Sequence, residues 1–347
     1  MHGLRSLVLL CGLACVAPSA PGAGTSAAKA RAETQHPVPT AADKARDKAL
    51  LAFQRDLVSV LAPRADAQPL LAAALLARPL LNPPEALSFH TLIGRAAKAA
   101  DAGPAVTWVR LADCHAAAGN CPNPAALDRL QQQAPDNAAV WLLKLGVDTH
   151  ALDADAARQD LAKAAAAKVY DDYTGASLQA LASSIGILPP PASTMDAARA
   201  ADRSGVQAVM AFGLAATQPQ PALQITAKLC ENANDDAAIK ADCLKLGKVL
   251  EWGSSPLARS LGLHLREVLA DDPAQQADAK HTRIDLTWQV QSFAQLSARV
   301  PDDKALAQHL LALARNGGSE MSLLLAALRD NNLRTEAPAD WSPTAHE

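Results

Sequence analysis

The sequence predicts an all-α protein built of stacked antiparallel helix pairs, a tetratricopeptide-like superhelix or α-solenoid. Three observations carry that prediction. Half of the 347 residues are hydrophobic but only 3% are aromatic, and alanine and leucine supply most of the apolar content. Both are strong helix formers, whereas the β-branched and aromatic residues that strands favour are sparse. Apolar residues also recur at helical spacing in one segment after another, and no stretch of comparable length alternates as a strand would. Finally, Trp108 and Trp141 lie 33 residues apart and Trp252 and Trp288 lie 36 apart, a spacing typical of helix-pair repeats. An alanine–leucine core lets helices approach closely, so stability must come from many small contacts rather than a few large anchors.

Taken in order, residues 42–62 place Leu50, Phe53, Leu57, Val58 and Leu61 on one helix face. Helical segments follow at 67–77 and 83–100, the latter with Pro84 near its start. The next are 104–119, 124–133, 136–150 and 153–168, with Asp136 and Asp153 as N-caps. Residues 173–188 run into the triple proline Pro189–Pro191, the clearest break in the chain. Beyond it come 194–216, 221–230, 235–252, and 254–273 with Ser255 as cap and Pro256 in the first turn. Segments 281–300, 302–316 and 319–332 complete the set. The expected organisation is therefore an N-terminal helical region at 42–188, a C-terminal one at 192–334 and an irregular tail at 335–347.

The N-terminus reads as an export signal. His2 and Arg5 form a short polar region, Leu7 to Val16 an apolar run, and small residues with prolines follow, so residues 1–23 have the order of a secretory signal peptide. The run is too short for a stable membrane anchor, and no later segment is long enough without charge or proline to span a bilayer. Residues 24–41 lack apolar periodicity and read as a flexible leader. The expected location is the periplasm or the exterior. Gly12-Leu13-Ala14-Cys15 is similar to a bacterial lipobox, with Gly12 where leucine is usual, so a lipid on Cys15 and an outer-membrane location form the alternative.

Four of the six cysteines remain after that signal: Cys114, Cys121, Cys230 and Cys243. An even number in an exported chain suggests disulfides, and spacing favours the local pairs Cys114–Cys121 and Cys230–Cys243. On one continuous helix the first pair would stand ~10 Å apart along the axis. Gly119-Asn120 can end the helix and turn the chain back. Between Cys230 and Cys243, residues 231–236 can turn the chain between antiparallel helices. Loop-closure entropy makes each bridge worth roughly 2.5–3 kcal/mol. Zinc is the competing reading, because His115 adjoins Cys114, but neither pair has the short spacing of a zinc site.

After Trp108 and Trp141 an Ala-Ala-x-x-x-Leu pattern recurs, at Ala125-Ala126…Leu130 and Ala156-Ala157…Leu161. Each tryptophan opens one helix and each pattern lies on the next. Residues 135–146, PDNAAVWLLKLG, resemble the junction between tetratricopeptide repeats. Their Trp-to-Gly spacing is one residue longer than the family pattern and the Gly-x-x-Tyr continuation is missing; the pattern covers residues 104–168. A looser resemblance extends to exported alanine-rich helical proteins of GC-rich bacteria with paired cysteines. The resemblance implies stacked helix pairs with a concave face. It does not imply a ligand.

Net charge is −3, spread without long blocks, which argues against the basic footprint of a nucleic-acid binder. Metalloprotease, nucleophile-elbow, P-loop, dinucleotide and c-type haem motifs are absent from the sequence. The acidic pairs Asp171-Asp172, Asp235-Asp236, Asp271-Asp272 and Asp302-Asp303 stand where helices should start, and capping explains them better than calcium. His90, His150, His264 and His309 sit in or beside helices and read as packing or solvated residues. Trp108, Trp141, Trp252 and Trp288 read as core anchors. Tyr170 and Tyr173 are the only tyrosines, and they are the candidate contact surface. The functional expectation is a non-catalytic scaffold with no cofactor that binds a protein or peptide. An enzyme acting on envelope material is a further alternative.

Overall fold

The computed structural model describes residues 40–114, 121–196, 202–233 and 236–342. Among them are fifteen α-helices and no strand. In chain order they are α1 (Ala41–Leu61), α2 (Ala67–Ala77), α3 (Phe89–Ala96), α4 (Pro104–Arg110) and α5 (Pro124–Gln133). There follow α6 (Ala138–His150), α7 (Ala154–Ala166), α8 (Thr174–Ser184), α9 (Arg203–Ala215) and α10 (Leu223–Glu231). The last five are α11 (Ala237–Glu251), α12 (Pro256–Leu269), α13 (Pro273–Ser297), α14 (Lys304–Arg315) and α15 (Glu320–Asp330). The expected signal peptide and Cys15 lie outside the described residues. None of the described helices is long and apolar enough to cross a membrane.

Helix starts follow local chemistry. Thr40 and Asp43 form a reciprocal capping box, so α1 begins at Ala41, inside the span read as leader. The side chains of Asp153, Asp236, Asp272 and Asp303 each accept from the first turn of the following helix. Asn137, not Asp136, caps α6, while the Asp136 carboxylate accepts from Lys168 Nζ at 2.6 Å. Ser255 stands at the N-cap of α12 without a side-chain bond.

Other boundaries differ from expectation for similar reasons. Ser88 accepts from the Thr91 N–H and starts α3 afresh, so 83–100 is not one helix. Asp202 caps α9 and places its start at Arg203, well after residue 194. Residues 273–280 are helical although they carry almost no apolar periodicity, because Pro273 and the Asp272 cap open α13 there.

The core forms three clusters. The first joins α1, α2 and α3 to α8, α9 and α14. Helix α2 is its centre, with nine of its residues buried, and it packs on α1, α3 and α8. The second joins α4–α7 to α10–α12, with α7 against α11. The third is smaller and seats Met321, Leu324 and Leu328 of α15 against Leu263 and Leu286. The first two clusters both draw on residues from either side of the triple proline. A triple proline interrupts backbone hydrogen bonding, but it does not prevent α8 and α9, on either side, from packing together.

Both expected disulfides are formed. Cys230 and Cys243 join α10 to α11 with Cα atoms 5.7 Å apart, and both residues are fully buried. Cys114 and Cys121 stand 5.2 Å apart between α4 and α5. Helix α4 ends at Arg110, before Cys114; Gly119-Asn120 and His115 lie outside the described residues. Asn123 fastens this loop, donating from Nδ2 to the Asp113 carbonyl at 2.7 Å and from its N–H to that of Leu111 at 2.9 Å. Cys121 is exposed, so the two bridges should differ in reactivity. A mild dithiol under native conditions should reduce Cys114–Cys121 first and leave Cys230–Cys243 intact until unfolding. Differential alkylation with mass spectrometry checks this; equal reduction rates would contradict it.

Candidate functional site

Two surfaces of the fold converge on the loop 167–173 between α7 and α8, and a third docks on one of them. The Ala138 N–H donates to the Val169 carbonyl at 2.8 Å, and Asn137 continues the attachment. Asn137 Oδ1 accepts from the Asp171 N–H at 2.9 Å, and its Nδ2 donates to the Asp171 carbonyl at 2.7 Å. On the other side is the α11–α12 turn. The Ser254 N–H donates to the Tyr170 carbonyl at 3.0 Å, and Ser254 Oγ accepts from the Asp172 N–H at 3.2 Å. The third surface is the start of α15, where the Met321 N–H donates to the Ser254 carbonyl at 3.0 Å. Asp172 Oδ1 accepts from the Thr174 N–H, and Asp171 Oδ1 from the Tyr173 N–H. These bonds let Tyr173 take φ 55° at the start of α8, a cost for a bulky residue that its neighbours must offset.

The two tyrosines are therefore not a contact surface. Tyr170 is 3% exposed and Tyr173 9%. Tyr173 packs on Trp108 with ring centroids 5.4 Å apart, and Tyr170 lies against Gly253. Aromatic rings beside an Ala–Leu core supply the largest buried area available, which outweighs their suitability for recognition. The Tyr170 hydroxyl lies near Ser255 without meeting hydrogen-bond geometry. Of the tryptophans, Trp108 is a fully buried anchor and Trp141 is half-buried, donating from Nε1 to the Pro135 carbonyl at 2.7 Å. Trp288 is half-buried under Trp341, which packs edge-on at 5.4 Å, so the tail meets α13 rather than the last helix. Trp252 departs from its expected role. It is 77% exposed in the α11–α12 turn, because Gly253, Ser254 and Ser255 occupy the buried side.

Electrostatically the junction is acidic. Burial, then the charge of Asp172, pushes the Glu320 carboxyl up to about 7. Burial likewise raises Asp171, against the opposing effect of the Tyr173 N–H. Burial, then Asp172, raises Tyr170 well above its ordinary value. A second acidic pair joins α6 to α7. Asp160 is raised to about 6, first by burial and then by its hydrogen bond to Asp148, while Lys144 and Lys163 oppose the shift. Lys163 Nζ also stands 4.5 Å from the centre of the Trp141 ring. Both places can hold a proton near neutral pH. Among the described residues no three of His, Cys, Asp and Glu converge on a metal-sized site. A hollow beside the junction, lined by Gly175, Leu178 and Gly317, encloses about 10 Å³, roughly one water. Four histidines are paired with surface carboxylates, among them His90 with Asp113 at 2.8 Å and His264 with Glu231 at 3.1 Å.

Fold and junction together define a class: an all-α protein clipped by two disulfides, whose helices meet at a buried acidic node. The chain matches no protein-family model, no curated protein and no solved structure.

Proposed function

We propose that this chain is an exported helical scaffold of the bacterial envelope that binds a protein or peptide and performs no catalysis. Trp252 carries the reading. An indole 77% exposed contributes nothing to the core, and large apolar side chains left in water concentrate at contact sites. Leu257, in the first turn of α12, is a second exposed apolar side chain, at 49%, five residues further along the chain. Export is supported by the signal-like order of residues 1–23 and by the two disulfides, which persist in oxidising compartments. Repeat stacking is supported by equivalent burial in the two Ala-Ala-x-x-x-Leu helices, where Ala126 and Leu130 on α5 match Ala157 and Leu161 on α7.

The test compares full-length wild type with Trp252→Ala as bait in envelope extract. Trp252 is exposed, so the variant should keep its unfolding midpoint to within about 0.5 kcal/mol. A specific co-purifying protein should be depleted with the variant. Equal recovery on both baits, or none on either, would remove the role of Trp252. A second reading rests on Gly12-Leu13-Ala14-Cys15, which makes the same scaffold a lipoprotein. Mass spectrometry of the mature N-terminus separates the two, since an unmodified terminus beyond residue 15 excludes the lipid.

A further inference from the structure

The C-terminal tail lies on α13 through contacts addressed to its main chain. A left-handed turn first ends α15. Asn332, at φ 55°, donates from its N–H to the Arg329 carbonyl at 3.0 Å, and the Leu333 N–H donates to that of Leu328 at 2.9 Å. Beyond it, residues 334–342 form neither helix nor strand, so their main-chain groups need partners from elsewhere. One face of α13 supplies them, since Asp285, Trp288 and Gln289 stand at i, i+3 and i+4. Trp288 Nε1 donates to the Arg334 carbonyl at 2.9 Å, and Gln289 Nε2 to the Thr335 carbonyl at 2.8 Å. Asp285 Oδ1 accepts from the Ala337 N–H at 2.9 Å. The Trp341 N–H then closes a turn onto the Pro338 carbonyl at 2.9 Å, and the Trp341 ring meets Trp288 edge-on.

Two properties make this contact exchangeable. The three hydrogen bonds from α13 address main-chain atoms, which any peptide offers, so the indole is the side chain that is read. The tail also stands outside the core. Among the described residues 334–342 none is buried, and none belongs to the three core clusters. Hydrogen bonds at such exposure trade nearly evenly with water, which leaves the ring pair as the main attachment.

We propose that the Asp285–Trp288–Gln289 face of α13 is a peptide-binding site, occupied by the protein's own tail as a removable strap, and that its ligand is a non-helical peptide carrying a tryptophan. The tail is the template for that ligand: carbonyls at 334 and 335, an N–H at 337 and an indole at 341. Tethering gives the tail a high effective concentration, so a free peptide competes poorly until the strap is loosened. The site deepens the peptide-binding reading without using Trp252, so its test and the Trp252→Ala pull-down fail independently.

A fluorescein-labelled synthetic peptide of residues 333–342, LRTEAPADWS, titrated into the full chain tests the site. Trp341→Ala in the chain loosens the strap and should raise the peptide's affinity by about tenfold or more over wild type. Helix content by circular dichroism should be unchanged, because the tail is not core. In the Trp341→Ala chain, adding Gln289→Ala should weaken binding by roughly threefold or more. N-methylation of the peptide at Ala337 removes the N–H that Asp285 accepts and should cost about tenfold. Replacing Thr335 and Glu336 of the peptide with serine should change affinity by less than about twofold, since those positions are read through the main chain. Equal binding to wild type and Trp341→Ala, or binding to neither, overturns the strap. Affinity indifferent to Gln289→Ala or to N-methylation overturns the site.

Discussion

Trp108→Ala is expected to destabilise the protein by about 3–5 kcal/mol. The indole is fully buried in the second cluster and stacks at a tilt on Tyr173, which itself holds a strained backbone at the start of α8. Most of the surrounding core is alanine and leucine, whose side chains fill only part of the space an indole leaves. The cost is one of volume and not of hydrogen bonding, because Nε1 has no partner to leave behind. Trp108→Phe should therefore lose much less, since it keeps a ring against Tyr173. Denaturant midpoints at unchanged slope measure both. Should Trp108→Ala cost no more than Trp252→Ala, the assignment of Trp108 as anchor is wrong.

Gly175→Ala is the second large effect, about 3 kcal/mol or more. A Cβ on Gly175 would lie 2.0 Å from the Gly318 carbonyl oxygen and 3.1 Å from Ser319 Cα. Those are backbone atoms, so no side chain can rotate away, and α8 or the α14–α15 turn must shift. Local preference points the other way, since alanine is the better helix former by about 1 kcal/mol. Gly94 in α3 isolates that preference, because its Cβ would meet nothing within 4 Å. Gly94→Ala should raise the unfolding temperature and Gly175→Ala should lower it steeply. A common sign for the two would refute the close approach of α8 to the α14–α15 turn.

Local features were legible and long-range ones were not. Apolar spacing and caps located most helices, and Asp153, Asp236, Asp272 and Asp303 cap as their positions implied. The cysteine pairs were readable because each closes a short loop. Residues 273–280 escaped because a polar helix has no periodic signal. The junction escaped for a deeper reason. Asn137, Asp172, Ser254 and Glu320 come from four distant parts of the chain, and each by itself looks like an ordinary cap or turn residue. Tyr170 and Tyr173 stood out by rarity, but composition cannot tell a buried ring from an offered one.

The first cluster has a kinetic consequence. Helix α2 is apolar on nearly all sides, yet its cover includes α8, and the core around it closes only with α14. A chain emerging N-terminus first thus presents a sticky helix long before residues 304–315 exist to complete the enclosure. Contacts this distant in sequence slow folding and lengthen the window for aggregation. The protein should depend on a holding chaperone during synthesis. Its two disulfides close short loops, so in an oxidising compartment they can form early without trapping a wrong topology.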